Sequence, residues 1–417
     1  MSRPTRREAR SRTRSRIAVI LAGAALLSWA GPGANAFWTA TSTGGSASAS
    51  ADALRAGATP TATVSGGNVT LAWNAATTVA GRAVTGYTVA RYAAASGGTR
   101  VAAGGTCSGT VTAGLGCTDQ GVPTGTWYYT VAPVLGQWQG PESVRSGGAA
   151  VDTTPPGAPT VVAPTYVYSE NVTAVPVSGT TEPGASIALS VGDGVPAHTV
   201  SATTTAAPSG AWNATVNLTG LNAGTVSYRA VATDTAGNQG NPATPGTATS
   251  VKDVTAPTVA GVLLEDGGGR NGKLDTKDKA TITFGETLDA STICSNWAAD
   301  PTGVLTLSES QATVNIVAGN TLSVAVDSSV CPTSRIGTVA LGGNYYGSGT
   351  LSYKGTVSWD PSTKALTITL GAYVSGNPGN GTEQPAIPSY TPTSGMRDLA
   401  GNPIATAPPV PGTRSRF

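Results

Sequence analysis

Chemically active side chains are scarce in this 417-residue chain. It has one histidine, His198, four cysteines, two methionines and three phenylalanines. A serine–histidine–acid triad or a catalytic zinc centre needs a histidine with partners close by. Nothing clusters in sequence around His198, so it reads as a surface residue and no enzyme is expected. Charge is scarce too. Asp, Glu, Lys and Arg make up 11% of the chain, against about 25% in typical domains. The formal charge of +2 comes from one segment. Residues 1–36 hold seven arginines and one acid, Glu8, which leaves 17 basic and 21 acidic residues, or −4, in the remainder. A nucleic-acid surface needs clustered basic residues, so nucleic acid is not an expected partner.

What is present begins with a targeting pattern. Residues 1–16 are rich in arginine, and residues 17–30 (IAVILAGAALLSWA) form an apolar run of 14. That is short of the about 20 residues that span a bilayer. Gly31, Pro32 and Gly33 break it, and Ala34, Asn35, Ala36 follow as a small-x-small cleavage triplet. Residues 1–36 therefore read as a signal peptide cut before Phe37, with an uncleaved anchor as the competing reading. After cleavage no membrane association is expected. The stretch AFWTATSTGGSASASA resembles the start of biofilm-matrix fibre proteins, which carry an aromatic residue just past the cut. Residues 37–58 read as a flexible lead-in.

Glycine (55) and proline (28) are abundant, in short clusters between apolar stretches. That pattern indicates many strands and turns. Two phrases also recur. D-x-T-x-P occurs at Asp152, Thr154, Pro156 and at Asp253, Thr255, Pro257; D-x-A-G-N occurs at Asp234, Ala236, Gly237, Asn238 and at Asp398, Ala400, Gly401, Asn402. Each opening phrase is followed by a closing one, as expected of an array whose units bury their own cores. The expected fold class is all-β, with three modules at 59–150, 151–254 and 255–407 and a C-terminal tail at 408–417.

In the first module Val69, Leu71 and Trp73 alternate with polar residues, and Tyr87, Val89, Arg91 and Trp127, Tyr129, Val131 make further strands. Trp73, Tyr87, Tyr129 and Val131 resemble the core positions of fibronectin type III domains. In the second module, residues 177–185 (VSGTTEPGA), Trp212, Tyr228 and Asp234 resemble bacterial Ig-like domains. In the third, Ala280, Ile282 and Phe284 alternate, and strands are expected at 304–307, 322–326, 356–359 and 365–370. Phe284 with Glu286, and residues 398–402, resemble the Ig-like domains of bacterial S-layer and surface proteins. Residues 342–353 and 376–392 read as insertions beyond that family's length. These resemblances imply tandem β-sandwiches with structural or adhesive roles.

Export suits disulfides. Four cysteines allow three pairings, and one pair per module, Cys107 with Cys117 and Cys294 with Cys331, is the natural choice. The acidic, glycine-rich stretch 265–278 offers Glu265, Asp266, Asn271, Asp275 and Asp278 to a calcium ion, which takes six to eight oxygens. The alternative there is a hairpin turning at Asn271-Gly272. The joints, Asp234 and Asn238 with Asp253, offer oxygens as well, or else simple Asx-turns. Trp138, Tyr345 and Tyr346 are candidates for stacking on sugar rings or contacting a partner, with core packing as the plainer explanation. No cofactor is required; calcium is the one considered. The expected role is an exported, extracellular or cell-surface scaffold or adhesin that contacts protein or glycan at the envelope or matrix. The rival is a carbohydrate-binding accessory protein.

Overall fold

The computed structural model describes residues 36–43, 46–382 and 384–417, with side chains from residue 52 onward. The proposed signal peptide therefore lies outside the described residues, save Ala36. The chain is all-β. Its contacts divide it into two compact units: the chain up to Pro156 together with Thr233–Gln239, and Gly157–Ala232 together with Gly240–Phe417. Among the described residues no helix is long and apolar enough to cross a membrane.

The segment expected as a flexible lead-in is ordered pairing instead. β1 (Ala36–Thr43) and β2 (Ser46–Ala53) form an antiparallel ladder in which Phe37 faces Asp52 and Thr43 faces Ser46. Its threonine content suits a strand. Asp52 and Leu54 are buried. The Asp52 Oδ1 accepts from the amides of Ala53 (2.9 Å) and Ala80 (3.0 Å), which staples this segment to residues 77–83.

The rest of the first unit holds β3 (Thr61–Ser65), β4 (Asn68–Ala72), β5 (Gly86–Tyr92), β6 (Val101–Ala102), β7 (Thr110–Val111), β8 (Gly116–Asp119), β9 (Gly125–Leu135), β10 (Trp138–Gln139) and β11 (Ala149–Val151). One sheet runs β3-β4-β8. The other runs β10-β9-β5-β6, with β7 on β5 and β11 on β9. The alternating apolar positions face inward as the period of two requires. Val69, Leu71, Trp73, Tyr87, Val89, Tyr129 and Val131 all join one buried cluster. Arg91 is the exception on its strand. Its guanidinium reaches the buried Asp119 at 2.9 Å, and Asp119 also accepts from the Tyr129 hydroxyl at 3.0 Å.

In the second unit a first cluster is built on β12 (Tyr166–Val167), β13 (Val175–Thr180), β14 (Ser186–Gly192), β15 (Thr199–Thr205), β16 (Ala211–Val216), β17 (Gly224–Thr233) and β18 (Gly246–Lys252). β12-β18-β17-β14-β15 make one sheet and β13-β16 the other. A second cluster, centred on Phe284, Trp359 and Tyr390, occupies a nine-stranded sheet. Its strands are β19 (Val259–Glu265), β20 (Lys279–Phe284), β21 (Leu305–Val317), β22 (Thr321–Val326), β23 (Thr338–Ala340), β24 (Tyr346–Asp360), β25 (Ala365–Pro378), β26 (Ser389–Thr391) and β27 (Val410–Pro411). They lie in the order β19-β20-β25-β24-β21-β22-β23-β26-β27.

Two sequence expectations change here. The expected insertions contain strand: residues 346–353 begin β24 and residues 376–378 end β25, joined through several register shifts, and residues 389–391 are β26. Glycine-rich composition hid them, because bulges tolerate glycine where regular strands do not. Residues 408–417 are not a tail. Thr413 donates to Val262 O at 2.9 Å, Ser415 Oγ accepts from Leu264 N at 3.0 Å, and Phe417 is fully buried. The segment after β27 thus lies along β19, covering an edge that would otherwise be open.

Candidate functional site: the joints

The two recurring phrases meet in space, twice, with the same hydrogen bonds. In the first unit Asn238 Nδ2 donates to Asp152 O (3.0 Å) and to Asp234 Oδ2 (2.8 Å). In the second unit Asn402 Nδ2 donates to Asp253 O (2.9 Å) and to Asp398 Oδ2 (2.8 Å). Local chemistry prepares each partner. Asp152 and Asp253 each accept through Oδ1 from the amide two residues on, Thr154 and Thr255, both at 2.9 Å. These are Asx-turns, which fix the direction of the chain. In the closing phrase Asp234 accepts from Asn238 N, and Asp398 from Gly401 N and Asn402 N. Glycine is required before each asparagine, since φ is 93° at Gly237 and 108° at Gly401. Asparagine suits the closing position because its two donors can serve a carbonyl and a carboxylate at once.

The joint in the second unit is the more elaborate. Asn402 is fully buried, and its Oδ1 accepts from Ser169 N at 2.8 Å. Arg397 grips Glu170 with two bonds, 3.0 and 3.1 Å, and also donates to Gly401 O. Bidentate guanidinium–carboxylate pairs are the geometrically specific kind. Tyr168 lies against Gly401, where a Cβ would come within 3.3 Å of its ring. Asp253 is the pivot: its amide donates to Val167 O at 2.9 Å in one core, while its carbonyl accepts from Asn402 in the other.

Asp253 also stands in an acidic group. Carboxylate oxygens of Asp253, Glu286 and Asp398 lie within 4.8 Å of one another, and among the described residues no other set of three acidic, histidine or cysteine side chains is gathered this way. Burial raises the Glu286 pKa, and the charges of Asp398 and Asp253 raise it further, against Lys364. A set of carboxylate oxygens has the chemistry that hard cations take.

The stretch 265–278 is the hairpin loop of the second expectation, with a different turn. Its oxygens serve its own backbone. Asp278 is fully buried and accepts from Gly267 N (2.9 Å) and Asp275 N (2.6 Å); Asp275 accepts from Arg270 N, and Asp266 from Gly268 N and Gly269 N. Glu265 accepts from the Thr281 hydroxyl, and Asn271 is exposed. Burial pushes the Asp278 carboxyl up to about 6, with Asp266 and Asp275 adding to the shift. It is the long loop of a β19–β20 hairpin, closed by Glu265 facing Lys279. Asn271 and Gly272 are the central pair of a turn in which Lys273 N donates to Arg270 O, but positive φ occurs at Gly272 and not at Asn271, so the turn is not type I′.

The remaining candidates separate. Cys107–Cys117 and Cys294–Cys331 are disulfides, one in each cysteine-bearing module. Trp138 is 40% exposed on β10. Tyr345 is core: it is 1% exposed, packs edge-on to Phe417 at 5.4 Å and accepts from Phe417 N. Tyr346 is half-buried against the same core. The turn is set by Asn320, whose Oδ1 takes the amides of both tyrosines at 2.7 and 2.8 Å. His198 does have neighbours, Asp193 (3.0 Å) and Asn222 (3.2 Å). Hydrogen bonds led by the Asn222 amide hold Asp193 at about 2. No nucleophile completes a triad among these contacts. Sequence reading named both phrases but missed that their asparagines are the bridges. The signal was their order, since each closing phrase follows its own opening one.

No protein-family model matches the chain, and no curated protein does. Solved structures do. The FN1–FN3 domains of chicken CNTN1 cover 86% of this chain and 99% of their own at 10% identity, with a TM-score of 0.23. A tetra-tandem repeat from the extending region of a large adhesion protein covers 88% and 77% at 16% identity, TM-score 0.26. A 1.5-MDa bacterial ice-binding adhesin covers 84% and 92% at 15% identity, TM-score 0.32. Likenesses this weak carry no functional weight; the chain's own contacts do.

Proposed function

We propose that the chain is an exported, non-catalytic scaffold or adhesin of a cell surface or extracellular matrix, in which β-sandwich modules space and present a binding face. The observation that carries this reading is the repeated joint, where an asparagine, fully buried at 402 and half-buried at 238, ties the start of a module to its end. Such a device serves geometry rather than turnover. The two disulfides fit an oxidising compartment, as does the signal pattern of residues 1–36. Partners are protein or glycan at the envelope or matrix.

Native cells fractionated into medium, envelope and cytoplasm test it, with mass spectrometry of the N-terminus. The expected product begins at Phe37 outside the cytoplasm. Full-length chain retained in the cytoplasm would overturn the proposal. A carbohydrate-binding role is favoured by one observation, the exposed Trp138, and a glycan array with Trp138→Ala distinguishes it.

A further inference from the structure

The chain enters and leaves the first core of the second unit along adjacent strands. Residues 160–162 pair antiparallel with β13, through Val162 N to Ser178 O (2.7 Å) and Ser178 N to Val162 O (3.0 Å). The chain then crosses to β18, the last strand of that core, where the pairing is parallel: Tyr166 faces Val251 and Val167 faces Lys252. Besides the ladder itself, three bonds hold the entry to the exit: Val251 N to Thr165 O and Asp253 N to Val167 O, both 2.9 Å, and Ser250 Oγ to Pro164 O at 2.5 Å. The next core repeats the arrangement. Val262 and Leu264 on its first strand meet Thr413 and Ser415 in ascending order, so first and last segments again run the same way. In the first unit the corresponding strands, β3 and β11, are hydrogen-bonded to different neighbours, β4 and β9.

Direction matters when a chain is pulled from its ends. Parallel neighbours are drawn along their axes in opposite senses, so every bond between them carries load together. A pair pulled across its width opens one bond at a time. Forced unfolding is governed by the barrier to rupture, not by equilibrium stability.

We propose that both cores of the second unit are tension-bearing elements, each clamped by its parallel entry and exit segments. This deepens the scaffold reading and rests on it: the function becomes transmission of force along the chain. Asp253 is where load passes onward, since its amide belongs to the clamp of one core and its carbonyl to Asn402 of the next.

Single-molecule force spectroscopy on the full chain tests the proposal. The cysteine-free core is recognised because reductant leaves its contour length unchanged, whereas the next core lengthens once Cys294–Cys331, 37 residues apart, is opened. Pulling from the two chain ends should rupture the cysteine-free core at several times the force needed through handles on Ser186 and Thr205, a facing pair, because the clamp's bonds share the load. Val251→Pro removes one clamp amide at a half-exposed site and should lower the end-to-end force by roughly a quarter. Ser250→Ala, which keeps the backbone intact, should lower it in the same direction. Val216→Ala, in the buried face of β16, should shift the urea midpoint with little change in that force. Equal forces in the two pulling geometries would overturn the clamp, as would an equal drop in Val216→Ala. A weak core in a surface-located protein sinks the clamp alone, whereas a strong core in a cytoplasmic protein sinks the scaffold reading alone.

Discussion

At the scale of the residue, the joint in the second unit depends on Asn402, which has no solvent to fall back on. Removing its amide leaves the buried Asp398 Oδ2 without this donor, and costs the half-buried Asp253 and the exposed Ser169 a partner that water can replace in part. Unsatisfied buried groups cost about 1–3 kcal/mol each, so Asn402→Ala should destabilise the second unit by about 1–3 kcal/mol. Asn238→Ala should cost less, since Asn238 is half-buried and water can replace part of what is lost. Urea denaturation of the full chain checks the order, and an equal or reversed effect would refute it. Neither asparagine is marked out by composition, and Asn402 lies 149 residues from Asp253. Only the fold brings them together.

At the scale of the element, the stretch between β19 and β20 is held by a carboxyl that burial keeps hard to ionise. The unfolded chain releases that proton near 3.8, the folded one near 6. Between those values folding takes up a proton, so this group's contribution is greatest at the acid end and falls as pH rises to about 6. The expected loss is about 1–2 kcal/mol after allowance for screening by solvent near the loop. Chemical denaturation at pH 4 to 7 (about half-unit steps) on wild type and Asp278→Asn should show their difference changing across that window; a constant difference would be decisive against it. Elements with clean alternation, such as Val69–Leu71–Trp73 and Ala280–Ile282–Phe284, were legible because one face is buried and the other is not. β24 and β25 were legible only in part, at 356–359 and 365–370; residues 346–353 and 376–378 were not. Their glycines and register shifts erase the period of two, and Tyr345 turns inward only because Asn320, 25 residues away, collects its amide.

At the scale of the molecule, all-β architecture followed from composition and turn chemistry, and the recurring phrases anticipated where joints would stand. The sealing of β19 by residues 413–415 could not be read, since nothing local distinguishes a polar tail from a strand that pairs far back in the chain. The joint has a further consequence. Asp152 and Asn238, like Asp253 and Asn402, lie at the two ends of one stretch of sequence, so each copy brings both halves of its fastening with it. Copy number can then drift without a new interface having to evolve. Excising residues 153–253 would leave a single Asp152-Val254-Thr255-Ala256-Pro257 opening phrase for Asn402 to close. The shortened protein should still form both disulfides and melt cooperatively, as circular dichroism and non-reducing peptide mapping would reveal. Scrambled cysteines or a broad, uncooperative melt would mean the reach of this protein is fixed. A clean product would make its length a heritable variable, adjustable one whole copy at a time.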